Sequence, residues 1–194
     1  MFNNSSLVDV QREADILRAK AVIKGYETIG CDVVNVGGFD LAAGLEYLQQ
    51  VIDSTNIPFI SANIIDSRTN QKLFPPHHII ENDGISIGII GLTNLIPSHT
   101  DKVKVEDFIT VGKAQIDELR NKVDIVVVLA NVNRDKNEEM NEEFSDADYI
   151  FVSRNTTRTR PGTEQPLQGP FTYGSNIQGK YLAQIDINLS LIHI

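Results

Sequence analysis

The chain has 194 residues, with 17 basic and 26 acidic side chains, a formal charge of −9 and 41% apolar residues. This is too hydrophobic for a disordered chain, and no run approaches the roughly 18 apolar residues of a membrane-spanning helix. The acidic balance argues against a nucleic-acid backbone as partner, which needs clustered Lys and Arg, and the lone Cys31 excludes an internal disulfide or a cysteine zinc site.

Val8–Ile29 places Ile16, Leu17, Ala21, Val22 and Ile23 among charges and predicts a helix with an apolar stripe. Cys31, just beyond it, is read as a small buried hydrophobe. Asp32–Val36 (DVVNV) predicts a short strand ended by Gly37-Gly38. Asp40 is placed to cap a helix over Leu41–Asp53, where Leu41, Leu45, Leu48 and Ile52 recur at helical spacing. Pro58–Asn63 predicts another strand. His78–Glu81 and Ile85–Leu92 predict a hairpin, because Asn82-Asp83-Gly84 is a tight-turn signal. A helix is expected over Val105–Val123, then a strand at Asp124–Ala130 (DIVVVLA), apolar enough to be buried on both faces. A helix over Lys136–Phe144, a strand at Tyr149–Val152, a polar loop to Gly169 and a last strand at Tyr181–Asn188 complete the order. Strands alternating with amphipathic helices, plus one inserted hairpin, predict an α/β fold with mixed sheets.

Asp135–Asp148 carries seven carboxylates against one lysine. The acids fall on one side of the predicted helix and Met140 and Phe144 on the other, the pattern of a solvated surface with an inward pair. Arg154, Arg158 and Arg160 follow as a basic loop that either balances the acidic helix or holds an anion, since guanidinium pairs with phosphate through two parallel hydrogen bonds.

Ligands of α/β sheets sit beyond the carboxyl ends of strands. Those ends are Gly37–Asp40, Asn94, Asn131–Asn133 and Ser153–Thr157, and none of them carries a histidine. His77 and His78 are adjacent on a strand start and should face opposite ways, so they cannot pinch one metal. His99 lies in a loop and His193 near the terminus. There is no phosphate-binding Gly-Lys-Ser/Thr loop and no Gly-x-Ser-x-Gly elbow.

Four stretches in succession resemble one known family: GCDVVNVGGFDLAAGLEYL (Gly30–Leu48), IPFISANIID (Ile57–Asp66) with the hairpin and IGIIGLTN (Ile87–Asn94), DIVVVLANVNRD (Asp124–Asp135), and YGSNIQGKYLAQIDINL (Tyr173–Leu189). Their order is similar to the metallophosphatase domain of the 5′-nucleotidase and UDP-sugar hydrolase family, within the calcineurin-like phosphoesterases. The resemblance implies a four-layered αββα sandwich with mixed sheets. Active members hold two divalent metals that activate water for phosphate-ester hydrolysis. The first two metal loops of that family, Asp-x-His and Gly-Asp, would precede the first helix, and on this reading the chain is truncated at its start.

By the same resemblance, the family has Gly-Asn-His-Glu after the first strand here, Ser-His after DIVVVL, and Gly-His-Ser-His after Tyr149–Val152. This chain has Gly37-Gly38-Phe39-Asp40, Ala130-Asn131 and Ser153-Arg154-Asn155-Thr156. The metal-binding Asn, three metal-binding His and the catalytic His are thus replaced by Gly38, Asn131, Arg154, Thr156 and Phe39, with Asp40 at the acidic position. Glycine has no donor atom, a benzyl ring cannot coordinate, and guanidinium is a permanent cation. Random decay would also have damaged the core strings, which look intact.

The sequence therefore predicts one metallophosphatase-like domain over residues 1–188. The end LSLIHI (residues 189–194) matches a translated sequencing adapter, or else is a native apolar strand end. The expected role is a non-catalytic binding or scaffold module with no metal cofactor, its vestigial site at Gly38, Phe39, Asp40, Asn131, Arg154 and Thr156. A small phosphorylated ligand would sit at Arg154, Arg158 and Arg160. The alternatives are a working nucleotide hydrolase with a reduced, one-metal site built from the family's missing N-terminal ligands plus Asp40 and Asn131, and an unrelated α/β domain with a single doubly wound sheet. Relatives are commonly exported and carry a second, C-terminal domain, so a periplasmic or cell-surface location is implied, although MFNNSS lacks signal-peptide order.

Overall fold

A computed structural model describes residues 4–94, 96, 102–153, 159–160, 162–164, 168–174 and 184–187, with side chains from residue 14 onward except that of Arg134. Chain order gives α1 (Asn4–Ile29), β1 (Val34–Asn35), α2 (Leu45–Asp53), β2 (Phe59–Ile60), β3 (Ile64–Asp66), β4 (His77–Asn82) and β5 (Ile85–Thr93). There follow β6 (Val103–Val105), α3 (Phe108–Arg120), β7 (Ile125–Asn131), α4 (Asn137–Glu143), β8 (Tyr149–Ser153) and β9 (Phe171–Gly174).

Five strands form a mixed sheet in the order β4-β5-β7-β8-β9, antiparallel only at the β4/β5 hairpin. The hairpin closes because Asp83 and Gly84 both take positive φ, 51° and 80°, the backbone of a turn whose twist matches the strands. The uninterrupted apolar run of β7 lies between β5 and β8 and is buried over Ile125–Val128, as expected for a strand covered on both faces. A second layer holds two short sheets, parallel β1-β2 and antiparallel β3-β6.

Three apolar clusters separate four layers. Ile116 and Leu119 of α3, with Met140 and Phe144 from the acidic segment, pack on Val126, Val128 and Ile150. Ile89, Val127 and Tyr149 from the opposite face of that sheet meet Val33 and Ile60 of the second layer. Leu45, Leu48 and Ile52 of α2 cover Val36, Phe59 and Ile64. The result is the expected αββα sandwich with mixed sheets, not one doubly wound sheet. The carboxylates of Asp135–Asp148 are spread over its outer face, while Met140 and Phe144 are fully buried.

Polar side chains pin the layers. Asn35 Nδ2 donates to Leu92 O and Leu129 O, both at 2.9 Å, joining β1 to β5 and β7. Asp148 accepts from Val126 N at 2.7 Å and pairs with Arg120 at 2.6 Å, tying α3 to the start of β8. Asp107 caps α3 by accepting from Thr110 N and Oγ1, and these bonds hold its carboxyl below the ordinary value.

Several local expectations are corrected. Asp40 does not cap a helix from Leu41: Gly38–Leu41 is a 3₁₀ turn, and α2 starts at Leu45 after Gly44 at φ 93°. The β-branched Val103 and Val105 prefer the edge of β3, so α3 begins three residues after Val105. Of the expected Pro58–Asn63 strand only Phe59–Ile60 forms, because Ser61 and Ala62 turn to bond Pro75 and Gly91, and a separate strand follows at Ile64–Asp66. The strand beside β8 is Phe171–Gly174, which the sequence pattern does not announce. Within the expected Tyr181–Asn188 strand, residues 184–187 have no regular structure, and the rest lie outside the described residues, as do His99 and the terminal LSLIHI with His193. Helix α1 forms, but its stripe is only partly covered: Leu17 is 67% and Val22 is 50% exposed. Cys31 is half-buried among α2-side residues and reaches Val33 O at 3.5 Å. His77 Nδ1 meets Gln115 Oε1 at 2.9 Å, a contact to α3 that keeps it in the scaffold.

Candidate functional site

The carboxyl ends of β1, β5, β7 and β8 converge, and Asn131 lies at the centre. Its Oδ1 accepts from Gly38 N at 3.3 Å and lies 3.4 Å from Thr93 Oγ1, which also donates to Asn131 O at 3.2 Å. Its Nδ2 donates to Ser153 Oγ at 2.9 Å. The Asn94 N–H donates to Asn131 O at 3.2 Å, and Asn94 Oδ1 in turn accepts from Asn133 N at 3.2 Å. The glycine at 37 is required by this approach, since a Cβ there would stand 2.9 Å from Asn131 Cγ.

Gly38 is buried and presents only backbone. Phe39 is 72% exposed. Asp40 accepts from Gly37 N at 2.7 Å. Asp40 keeps an edge open to solvent, yet the protein crowded around its carboxyl pushes its pKa up, an effect only partly offset by the Gly37 hydrogen bond. Arg160 is exposed, with its carbonyl accepting from Thr163 N and Oγ1. Arg154, Thr156 and Arg158 lie outside the described residues.

Gly37, Phe39, Asp40, Asn131 and Ser153 share the wall of a cavity of about 1190 Å³ that runs between α1 and the β1–α2 layer. Its deeper wall is apolar, from Ile16 and Ile23 of α1 to Leu48 and Val51 of α2. Tyr26 stands within it, its hydroxyl pushed up by burial and then by the nearby Cys31 and Asp40. The sequence pattern locates the four strand ends but not this cavity, because nothing in α1 shows that its apolar side faces a gap.

The donor set tests a divalent metal pair directly. Gly38 and Phe39 offer no coordinating atom, the Asn131 oxygen is already engaged by a backbone N–H and a hydroxyl, and Asp40 is one carboxylate tied to Gly37. Among the described residues, no group of three or more His, Cys, Asp or Glu side chains gathers. The side chains described at these positions do not fit two metals.

The layered sandwich with its site at the strand ends is the architecture of calcineurin-like phosphoesterases. It superposes on the 5′-nucleotidase precursor from Thermus thermophilus with a TM-score of 0.63 at 21% identity, covering 81% of this chain and 32% of that one. The calcineurin-like phosphoesterase YfkN from Bacillus subtilis matches with a TM-score of 0.63 at 15% identity, over 83% of this chain and 60% of that one. In sequence, the 5′-nucleotidase of Vibrio cholerae is 31% identical over 135 residues, 66% of this chain and 24% of the relative. No protein-family model matches. In sequence and in fold the chain is similar to 5′-nucleotidases and calcineurin-like phosphoesterases. It spans about a quarter of the length of the curated relatives it matches. Among the described residues, no helix is long and apolar enough to cross a membrane.

Proposed function

We propose that this 5′-nucleotidase-like domain does not hydrolyse phosphate esters and serves as a binding module for a small phosphorylated ligand. The observation that carries the reading is the chemistry at the strand ends: Gly38 and Phe39, which by the resemblance take the places of metal-binding and catalytic side chains, offer no coordinating atom, and Asn131 spends its amide on Gly38 N and Ser153 Oγ. Without ions to polarise a phosphoryl oxygen and acidify water, the uncatalysed barrier stays. Arg154, by its place in the sequence directly after Ser153, would put a fixed positive charge beside this edge, where it could pair with phosphate. An exported location, as in the family at large, fits the same reading.

The test is the release of phosphate from nucleotides and from p-nitrophenyl phosphate by the protein with Mn²⁺, Mg²⁺ or Zn²⁺. No turnover above background is expected. Inorganic phosphate and nucleotides should bind at low salt, and Arg154→Ala should weaken that binding about tenfold, the loss of one charge-assisted pair. Metal-dependent turnover that disappears in Asn131→Ala would contradict the reading and favour a reduced hydrolytic site.

A further inference from the structure

In a metal-bridged site, the ions themselves hold separate loops at fixed distances. Here those loops meet a carboxamide. Asn131 extends from the end of β7 and is hydrogen-bonded to the loop after β1 through Gly38 N at 3.3 Å, to β5 through Thr93 Oγ1, and to β8 through Ser153 Oγ at 2.9 Å. Ser153 Oγ turns back to Ala130 O at 3.4 Å, closing the network on β7. One planar amide supplies both the acceptor and the donor that this geometry needs, a pairing that neither a carboxylate nor an aliphatic side chain provides. Gly37 is matched to it, since any side chain there would collide with the amide.

We propose that Asn131 is the positioning residue of this site and that its amide holds the four strand ends in register with no metal ion. The proposal rests on the non-catalytic reading for its setting but on the hydrogen bonds for its content. The loops of this site are therefore organised before any ion or ligand arrives, and chelators leave them unchanged.

Amide hydrogen exchange on the protein tests this. Gly38 N–H bonds the Asn131 side chain, whereas Asn94 N–H bonds the Asn131 backbone carbonyl, so the second is an internal control. Asn131→Ala should speed exchange at Gly38 about tenfold and leave Asn94 and Val126–Val128 unchanged, the effect of one lost hydrogen bond on a local opening. Equal acceleration at Gly38 and Asn94, or none at Gly38, overturns the proposal. Should Asn131→Ala fail to fold, Ser153→Ala removes the acceptor of the amide N–H together with the long bond to Ala130 O; a smaller rise confined to Gly38 supports the network, and no change there overturns it. In the wild type, EDTA and Mn²⁺ should each leave Gly38 exchange unaltered; protection that needs Mn²⁺ overturns the proposal. Phosphate turnover would sink the functional reading alone, so the two failures are distinguishable.

Discussion

Gly112→Ala is expected to destabilise the protein by about 3 kcal/mol, lowering Tm by roughly 6–12 °C. Gly112 lies in α3, where alanine would ordinarily help a helix by about 1 kcal/mol. Here a Cβ would stand 2.4 Å from Phe144 Cζ and 2.9 Å from Leu92 Cδ1. Phe144 is fully buried in a close-packed cluster with Ile116, Met140 and Leu92, so displacing its ring disturbs those neighbours as well. Overpacking therefore outweighs propensity. Thermal denaturation of Gly112→Ala, Phe144→Leu and the double variant separates the terms: the double variant should be more stable than the sum of the single effects predicts. Additive losses, or a stabilised Gly112→Ala, would show that the contact is not the determinant.

Asn63 carries the other large expectation. It is fully buried directly before β3, donating to Thr93 O at 2.6 Å and Glu106 O at 3.0 Å and accepting from Thr93 N at 3.0 Å. These bonds hold β5 against the segment leading into α3 and seat Thr93, whose hydroxyl reaches Asn131. Asn63→Ala strips three backbone groups of a hydrogen bond in a dry setting, at about 4 kcal/mol in all. Asn63→Asp keeps the shape but cannot donate when ionised and buries a charge. Burial raises that carboxyl above its unfolded value, so the folded state binds more protons than the unfolded one. The stability of Asn63→Asp should therefore fall as pH rises from about 4 to 7, while Asn63→Ala shows no such added slope. Denaturant unfolding at both pH values checks this; an Asn63→Asp variant as stable at pH 7 as at pH 4 would contradict it.

How far the fold can be read in the sequence depends on where its determinants lie. Asp83-Gly84 sets a turn by backbone geometry alone, and DIVVVLA announces a strand covered on both faces, because both signals are local. Val103–Val105 and Phe171–Gly174 are strands only because β3 and β8 offer them edges, and three or four residues cannot show a partner distant in the chain. Gly44, at φ 93°, delays α2 past a Leu41 whose spacing suits a helix. At the site, Gly38 and Phe39 are legible in the sequence as side chains without a coordinating atom. The hydrogen bonds that Asn131 makes instead are not, since Thr93 and Ser153 lie on other strands and Gly37 reveals its purpose only when the amide is seen beside it.

The central claim is that the strand ends here hold one another through side-chain hydrogen bonds and no longer hold a pair of ions. Its most direct test is the metal content of the purified protein after incubation with Mn²⁺ or Zn²⁺ and removal of the excess, measured by elemental analysis. Less than one ion per chain is predicted, with no change in Tm on adding EDTA. Two tightly held ions per chain, located by anomalous scattering beside Phe39 and Asn131, would contradict the account.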